Sequence, residues 1–273
     1  MNTLPPYQSY NSDNFAPIRR AEDQHFWFRA RNKIINGVMN HLLTNLSEPL
    51  LIGEIGCGNG NTLQVLEQVI LTSAKKHHLI GMDLFYEGLQ NASDRTTCTL
   101  IQADVHHAPF GKRFDVICLF DVLEHLHDDI TVLSDIHNLL KPDGYLVFTV
   151  PAHMHLWSYF DEFSNHCRRY SKHEVVEKLR GADYRVEFVS YFMMTLYPLM
   201  RITRLYSTMI KRINNANNNF GNSTRDLALR ELKVLPIVNN VLYSILSAES
   251  YQITNYRQLP FGTSILAVAR RSL

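Results

Sequence analysis

Seven residues, Glu54-Ile-Gly56-Cys57-Gly58-Asn59-Gly60, carry the densest chemical signal in the chain. Glycines at alternate positions let the backbone turn tightly and approach a ligand, and a helix opening behind them offers unpaired N–H groups. Asp83, Asp104 and Asp121 follow downstream, each at the end of a short apolar run. A carboxylate so placed accepts hydrogen bonds from hydroxyls or charged donors on a small molecule. The glycine spacing discriminates among ligands. A dinucleotide fingerprint needs GxGxxG, but Gly60 comes one residue early and Asn61 stands where that glycine would fall. No lysine follows, so the phosphate-binding P-loop fails as well. Cys57 reads as a small residue chosen for fit in the turn.

Three further groups are unusual. Asp121-Val-Leu-Glu124-His125 puts two carboxylates and an imidazole within one turn, where Asp121 would cap a helix and the other two would support it. Residues 25–31, HFWFRAR, hold three aromatics and two arginines besides His25. Residues 151–170, PAHMHLWSYFDEFSNHCRRY, are irregular and rich in aromatic and ionisable groups. His77–His78 and His106–His107 read as exposed loop residues.

The scaffold that would gather these residues follows from periodicity. Phe26–Leu43 repeats apolar residues at three and four (Ile34, Ile35, Val38, Met39, Leu42, Leu43), which predicts a helix. Leu50–Ile55, Leu79–Met82, Thr99–Ala103, Phe114–Phe120 and Tyr145–Val150 predict five strands, with a helix at Thr62–Leu71. Another helix carries Ile130, Leu133, Ile136 and Leu140 on one face and is stopped by KPDG at 141–144. Ser171 and Glu174 form a capping box that opens a helix ending at Gly181. Tyr184–Val189 and Ser264–Ala269 predict the last two strands.

Strands and helices alternating at this spacing imply an α/β fold: a mostly parallel seven-stranded sheet with helices on both faces. Ligands of such sheets lie beyond the carboxyl ends of the strands, where the three aspartates fall. Residues 191–260 are too long for a plain loop and hold a helical pattern at Val238, Val241, Leu242, Ile245 and Leu246. They are expected to form a helical cap inserted before the last strand. The organisation is then a flexible arm at 1–22, a helical segment at 23–48, a core at 49–190 plus 261–273, and the cap at 191–260.

A GxGxG loop after an acidic strand residue, with Asp83 and Asp104 at the next strand ends, resembles the class I S-adenosylmethionine-dependent methyltransferases. HFWFRAR, the stretch TVPAHMHLWSYFDEFSNHCRRYS at 149–171 and the closing LPFGTSILAVARR resemble one bacterial branch of that superfamily, over about residues 20 to 271. Its members act on small molecules or in glycan pathways. The resemblance implies a Rossmann-like methyltransferase fold and S-adenosylmethionine as cofactor, released as S-adenosylhomocysteine. It assigns the ribose hydroxyls to Asp83, the adenine edge to Asp104 with the Val105 backbone, and the methionine tail to Glu54 and the Gly56 region, with Cys57, Gly58, Gly60 and Leu84 also binding the cofactor. Phe120 or Asp121 would floor the site beside the reacting methyl.

For an oxygen acceptor a general base helps. His166 is the first candidate, with Asp161 orienting it, Tyr170 close by, and Arg168 and Arg169 holding a carboxylate or phosphate on the acceptor. His166 and Arg169 would otherwise clamp their loop onto the HFWF segment. His25, Trp27, Phe28 and Arg31 either line the pocket as a lid or staple the arm to the core. Asp121, Glu124 and His125 also resemble a divalent-metal site of some quinone-type O-methyltransferases, but no metal is expected. After the fourth strand stands Phe120-Asp121-Val122-Leu123, not an NPPY-type tetrapeptide, which favours an oxygen acceptor over an amino group. The expected activity is methyl transfer to a small-molecule or glycan- or lipid-linked acceptor. The alternatives are a non-catalytic scaffold that keeps the fold and, against the Gly60 spacing, a nicotinamide-dependent oxidoreductase.

Composition bounds the rest. The 273 residues are 45% hydrophobic and 19% charged, an ordinary globular balance. With 27 basic and 26 acidic residues the net charge is +1, so no whole-surface grip on nucleic acid is expected. Cys57, Cys98, Cys118 and Cys167 show no CxxC spacing, which fits reduced thiols in the cytoplasm. The opening MNTLPPYQSYNSDNF lacks the pattern of a secretory signal. Phe188–Met200 is apolar, interrupted by Ser190, Thr195 and Pro198, and leads to Arg201, Arg204, Lys211 and Arg212. It is too short to span a membrane. Peripheral membrane contact through 188–212, cap core and a dimer contact are the readings it allows.

Overall fold

The computed structural model describes residues 10–46, 49–73, 75–214 and 224–272. The chain begins with helices α1 (Phe15–Glu22) and α2 (Phe26–Thr44), then alternates β1 (Leu51–Ile55), α3 (Asn61–Thr72), β2 (His78–Asp83), α4 (Tyr86–Ser93) and β3 (Thr99–Gln102). Next come β4 (Phe114–Phe120), α5 (Asp129–Leu139), β5 (Leu140–Pro151), α6 (Tyr159–Phe163), α7 (Lys172–Gly181) and β6 (Tyr184–Phe192). Helices α8 (Leu196–Asn214), α9 (Thr224–Glu231) and α10 (Pro236–Thr254) precede β7 (Ser264–Arg271).

The seven strands form one sheet in the order β3-β2-β1-β4-β5-β7-β6. Pairing is parallel throughout except at β7, which runs antiparallel to both β5 and β6. Central strands covered on both faces must be apolar on both, and β4 is buried almost end to end. Alternation sorts its side chains. Val116 and Cys118 join α2, α3 and α10 in one core through Ile35, Met39, Leu66 and Leu246. Ile117 and Leu119 join α5 and α7 in the other through Leu133, Ile136, Val175 and Leu179.

The capping box at Ser171 and Glu174 is present as expected. Four readings need correction. Residues 12–22 are not a mobile arm: a 3-10 turn and α1 bury Asn14, Phe15, Ala21 and Glu22. Phe15, Ile18 and Ala21 are spaced by threes, a helical signal that the neighbouring polar residues and prolines obscured. Leu140 belongs to β5 rather than to α5, and KPDG lies inside that strand, turned by Asp143 at a φ of +61°. Ile130 is exposed, because α5 buries Val132, Leu133 and Ile136. The apolar stretch from Phe188 begins as the inner part of β6, with Phe188, Val189, Phe192 and Met193 in the core. Helix α4, which the sequence pattern did not show, closes the connection from β2 to β3.

Candidate active site

The glycine loop lies between β1 and α3, at the carboxyl edge of the sheet. Gly56, Gly58 and Gly60 all adopt left-handed φ, at +74°, +49° and +78°. At Gly60 a side chain would also meet helix α4: a Cβ there would stand 2.8 Å from the Cα of Ala92. The loop is fastened to the end of β2 by Asp83. Its Oδ2 accepts from the Gly58 N–H at 2.7 Å and its Oδ1 from the Phe85 N–H at 2.9 Å. Burial outweighs these donors and pushes the Asp83 carboxyl up to about 6. Glu54 lies buried behind the loop, receives the Thr62 hydroxyl, and is pushed up to about 8 by desolvation. Cys57 is buried, and desolvation pushes its thiol well above the usual range, which leaves it a packing residue.

A cavity of about 560 Å³ opens in front of the loop. It is bounded by Gly56, Cys57, Gly58, Asp83, Leu84, Val105 and Phe120, and by His25, Trp27, Phe28 and Arg31 from the start of α2. Glu54, Gly60 and Asp104 do not line it. Asp104 instead accepts from the His106 N–H at 3.0 Å and caps a 3-10 turn, while its neighbour Val105 faces the cavity. Of the four histidines expected to be exposed, His78 and His107 are, whereas His77 is buried and accepts from the Leu50 N–H, and His106 pairs with Asp135.

The amino-terminal elements form one wall. The Tyr10 ring touches Phe15, Phe85 and His125. Glu22 pairs with Arg95 at 2.7 Å, and the Asn59 amide donates to the Phe15 carbonyl. Arg31 reaches Asp121 at 2.6 Å, and Thr149 donates to the other Asp121 oxygen. Asp121 therefore does not cap a helix; it sits at φ +57° and anchors Arg31. The Arg31 Nε is buried and has no hydrogen-bond acceptor among the described residues.

The opposite wall carries the ionisable cluster. His166 Nδ1 lies 2.9 Å from Asp161 Oδ1. Arg169 Nε donates to the same oxygen at 2.7 Å, and Ser158 donates to the other. Burial alone would raise the Asp161 carboxyl, but the His166 hydrogen bond and the Arg169 charge outweigh it and hold it at about 2. Glu124 is fully buried, and neither of its carboxylate oxygens has a hydrogen-bond partner among the described residues. Desolvation and the nearby Asp121 push it well above the carboxylate range. Burial and the neighbouring His166 push the His125 imidazole well below the usual value. Glu124, His125 and His166 offer ligand atoms within 4.8 Å of one another. At that separation the three could hold one metal ion between them. Asp121 is not part of that set.

Two expected residues lie elsewhere. Tyr170 is buried and donates to Asp129 Oδ2 at 2.8 Å, and Arg168 pairs with the same carboxylate at 2.8 Å. Neither lines the cavity. Asp161 touches it only through His166 and Arg169. The sequence reading missed Tyr10, Glu22 and Asn59, and the contribution of α8 and α10 through Leu196, Leu199, Met200 and Leu242.

These residues suit a nucleoside with a charged amino-acid tail. The buried Asp83 carboxylate lines the cavity, as does Arg31, whose Nε has no acceptor among the described residues. A family model described as methyltransferase domain matches residues 26–188. The chain is 27% identical to a malonyl-[acyl-carrier protein] O-methyltransferase of Halalkalibacterium halodurans over 145 residues, which are 50% of this chain and 51% of that protein. It is 27% identical to a ubiquinone biosynthesis O-methyltransferase of Salmonella paratyphi A over 103 residues, 35% of this chain and 40% of that one. The chain thus spans about half or less of the length of these relatives. Its fold matches a chain of the complex between the Haloferax volcanii Trm112 methyltransferase activator and its methyltransferase partner, with a TM-score of 0.58 and 17% identity over 97% of this chain and 99% of that one.

Proposed function

The chain belongs to the methyltransferase-domain family, and on that premise we propose that it is an S-adenosylmethionine-dependent methyltransferase acting on a hydroxyl of a small-molecule or glycan- or lipid-linked acceptor. When bound, the cofactor supplies an electrophilic methyl on a sulfonium leaving group. Asp83 accepts from its ribose hydroxyls, and Arg31, held by Asp121, takes its carboxylate. Val105 and Leu84 flank its adenine. The glycine loop presents backbone N–H groups without a side chain in the way.

The acceptor hydroxyl binds between Glu124, His125 and His166. Asp161 stays ionised and holds the proton of His166 on Nδ1, so Nε2 is left as the acceptor of the hydroxyl proton. Arg169 neutralises Asp161 and fixes the loop, so it acts on His166 rather than on the acceptor. Helices α8 to α10 cap the acceptor side of the cavity. Alignment in a water-poor site does the remaining work, since methyl transfer is an in-line displacement. The two relatives named above as O-methyltransferases support oxygen as the nucleophile.

The single observation that carries this reading is His166, held by the buried Asp161, opening onto the cavity beside a buried Glu124 with no hydrogen-bond partner among the described residues. The test incubates methyl-labelled cofactor with the protein and with separated aqueous and organic fractions of a bacterial extract. Label is expected in a product whose acceptor hydroxyl has become a methyl ether, its proton lost to the base, and His166→Ala should lower its rate of formation by about 10²–10⁴-fold. Affinity for S-adenosylhomocysteine should stay within about threefold. Full turnover by that variant would remove His166 as the base.

A further inference from the structure

Among the described residues, large apolar side chains left exposed are concentrated on two helices. Leu199, Ile202 and Leu205 follow each other at three-residue spacing on α8. Ile237, Val238, Val241 and Ile245 make a stripe at three and four on α10, approached through the exposed Leu235. Ile237 is 81% exposed and Ile202 65%. Scattered exposed leucines need no explanation, but rows along helices that line one cavity mark a contact surface. No described helix is long and apolar enough to cross a membrane, so these faces are suited to lying against a surface.

Both helices border the active-site cavity. Leu199 lines it and is also exposed, and Leu242, between Val241 and Ile245 in sequence, lines it from α10. The charge of the same region leans basic. Residues 196–205 and 225–245 hold five basic residues (Arg201, Arg204, Arg225, Arg230, Lys233) against Asp226 and Glu231, a net +3 in a chain of net +1. Arg225, Arg230 and Lys233 are exposed, as are Asp226 and Glu231, while Arg204 is buried and pairs with Glu231. Apolar rows flanked by basic groups complement a surface that is apolar inside and anionic outside.

We propose that the outer faces of α8 and α10 dock on an anionic lipid bilayer and so bring the cavity to an acceptor held in that bilayer. The expected contact at 188–212 is thereby moved: its first part is core, and α10 supplies the other half of the surface. The proposal deepens the lipid-linked branch of the acceptor reading and rests on it.

The test is flotation of the whole protein with vesicles of phosphatidylcholine alone or mixed with phosphatidylglycerol. Binding to the mixed vesicles is expected, weakened by salt. Ile237→Glu with Val241→Glu should reduce it at least tenfold with melting temperature and S-adenosylhomocysteine affinity unchanged. Arg230→Glu with Lys233→Glu should reduce it roughly fivefold or more per residue. No co-flotation, or equal flotation of the Ile237/Val241 variant, overturns the proposal. So does a dimer in light scattering that those two substitutions abolish, since the faces would then bind a second copy. Cofactor affinity is read separately, so loss of vesicle binding with intact affinity refutes only the docking, whereas absent affinity refutes the methyltransferase site itself.

Discussion

Replacing Asp83 by Asn changes one atom in the seat that joins the glycine loop to β2. The carboxylate accepts from Gly58 and Phe85 and has lone pairs left for a ribose diol. The amide keeps one acceptor oxygen, turns an N–H toward a backbone N–H on the other side, and has no charge. A hydrogen bond to a charged group is worth about 1.5–3 kcal/mol, so the dissociation constant for S-adenosylhomocysteine should rise roughly 10- to 100-fold at pH 8. The wild-type pH dependence supplies a second, independent number. Burial raises the Asp83 carboxyl from 3.8 to about 6, a cost of about 3 kcal/mol for ionising it in place.

The signs of the two pH effects are opposite. In the unliganded protein a raised carboxyl favours folding when protonated; that contribution is full below about 3.8 and is lost as pH rises through about 6. A ribose hydroxyl donating to Asp83 needs the ionised form, so affinity is full above pH 6 and falls roughly tenfold per unit below it. Isothermal titration of both proteins between pH 5 and 8, with melting curves to confirm folding, measures all of this. Asp83→Asn should be weak and lack the inflection near 6. Wild-type affinity flat over that range, or a variant within about threefold of wild type at pH 8, refutes the ribose assignment.

Two substitutions test the scaffold around that seat. Gly60→Ala puts a Cβ against Ala92 in a left-handed conformation, at about 2–4 kcal/mol. The expected drop in melting temperature is about 5–10 °C, and an unchanged melting temperature would show that the α3–α4 contact is looser than drawn. Tyr170→Phe removes the hydroxyl from Asp129, which keeps Arg168 and Lys178. Stability should fall by about 1.5–3 kcal/mol in denaturant titration with turnover unaltered; loss of turnover with stability intact would return Tyr170 to the catalytic set.

Much of the site's first half was legible in the chain, because it depends on local chemistry. Left-handed turns require glycine, so Gly56, Gly58 and Gly60 announce the loop, and strands buried on both faces announce β1, β2 and β4 with Asp83 at a carboxyl end. The spacing of Asp161 and His166 likewise put a carboxylate and the imidazole it meets within five residues. Positions whose role depends on a distant partner were not legible. Asp104 and Asp83 have the same sequence setting, yet a 3-10 turn rotates the first onto His106 and leaves the second in the cavity. Tyr170 and Arg168 lie next to His166's loop in sequence but are drawn to Asp129, 41 and 39 residues earlier.

The sequence by itself determined the sheet, its strand ends and the loop that receives the cofactor, since period and turn chemistry act over a few residues. Tertiary structure decided which ionisable groups face each other. Only folding brings Arg31 of α2 to Asp121 after β4, wraps Tyr10 and Glu22 around the loop, and buries Glu124 beside His166. It also decided which face of α8 and α10 stays outside. Helical spacing gives each of them an apolar stripe, but whether a stripe is core or surface depends on what packs against it, and that is a property of the whole chain.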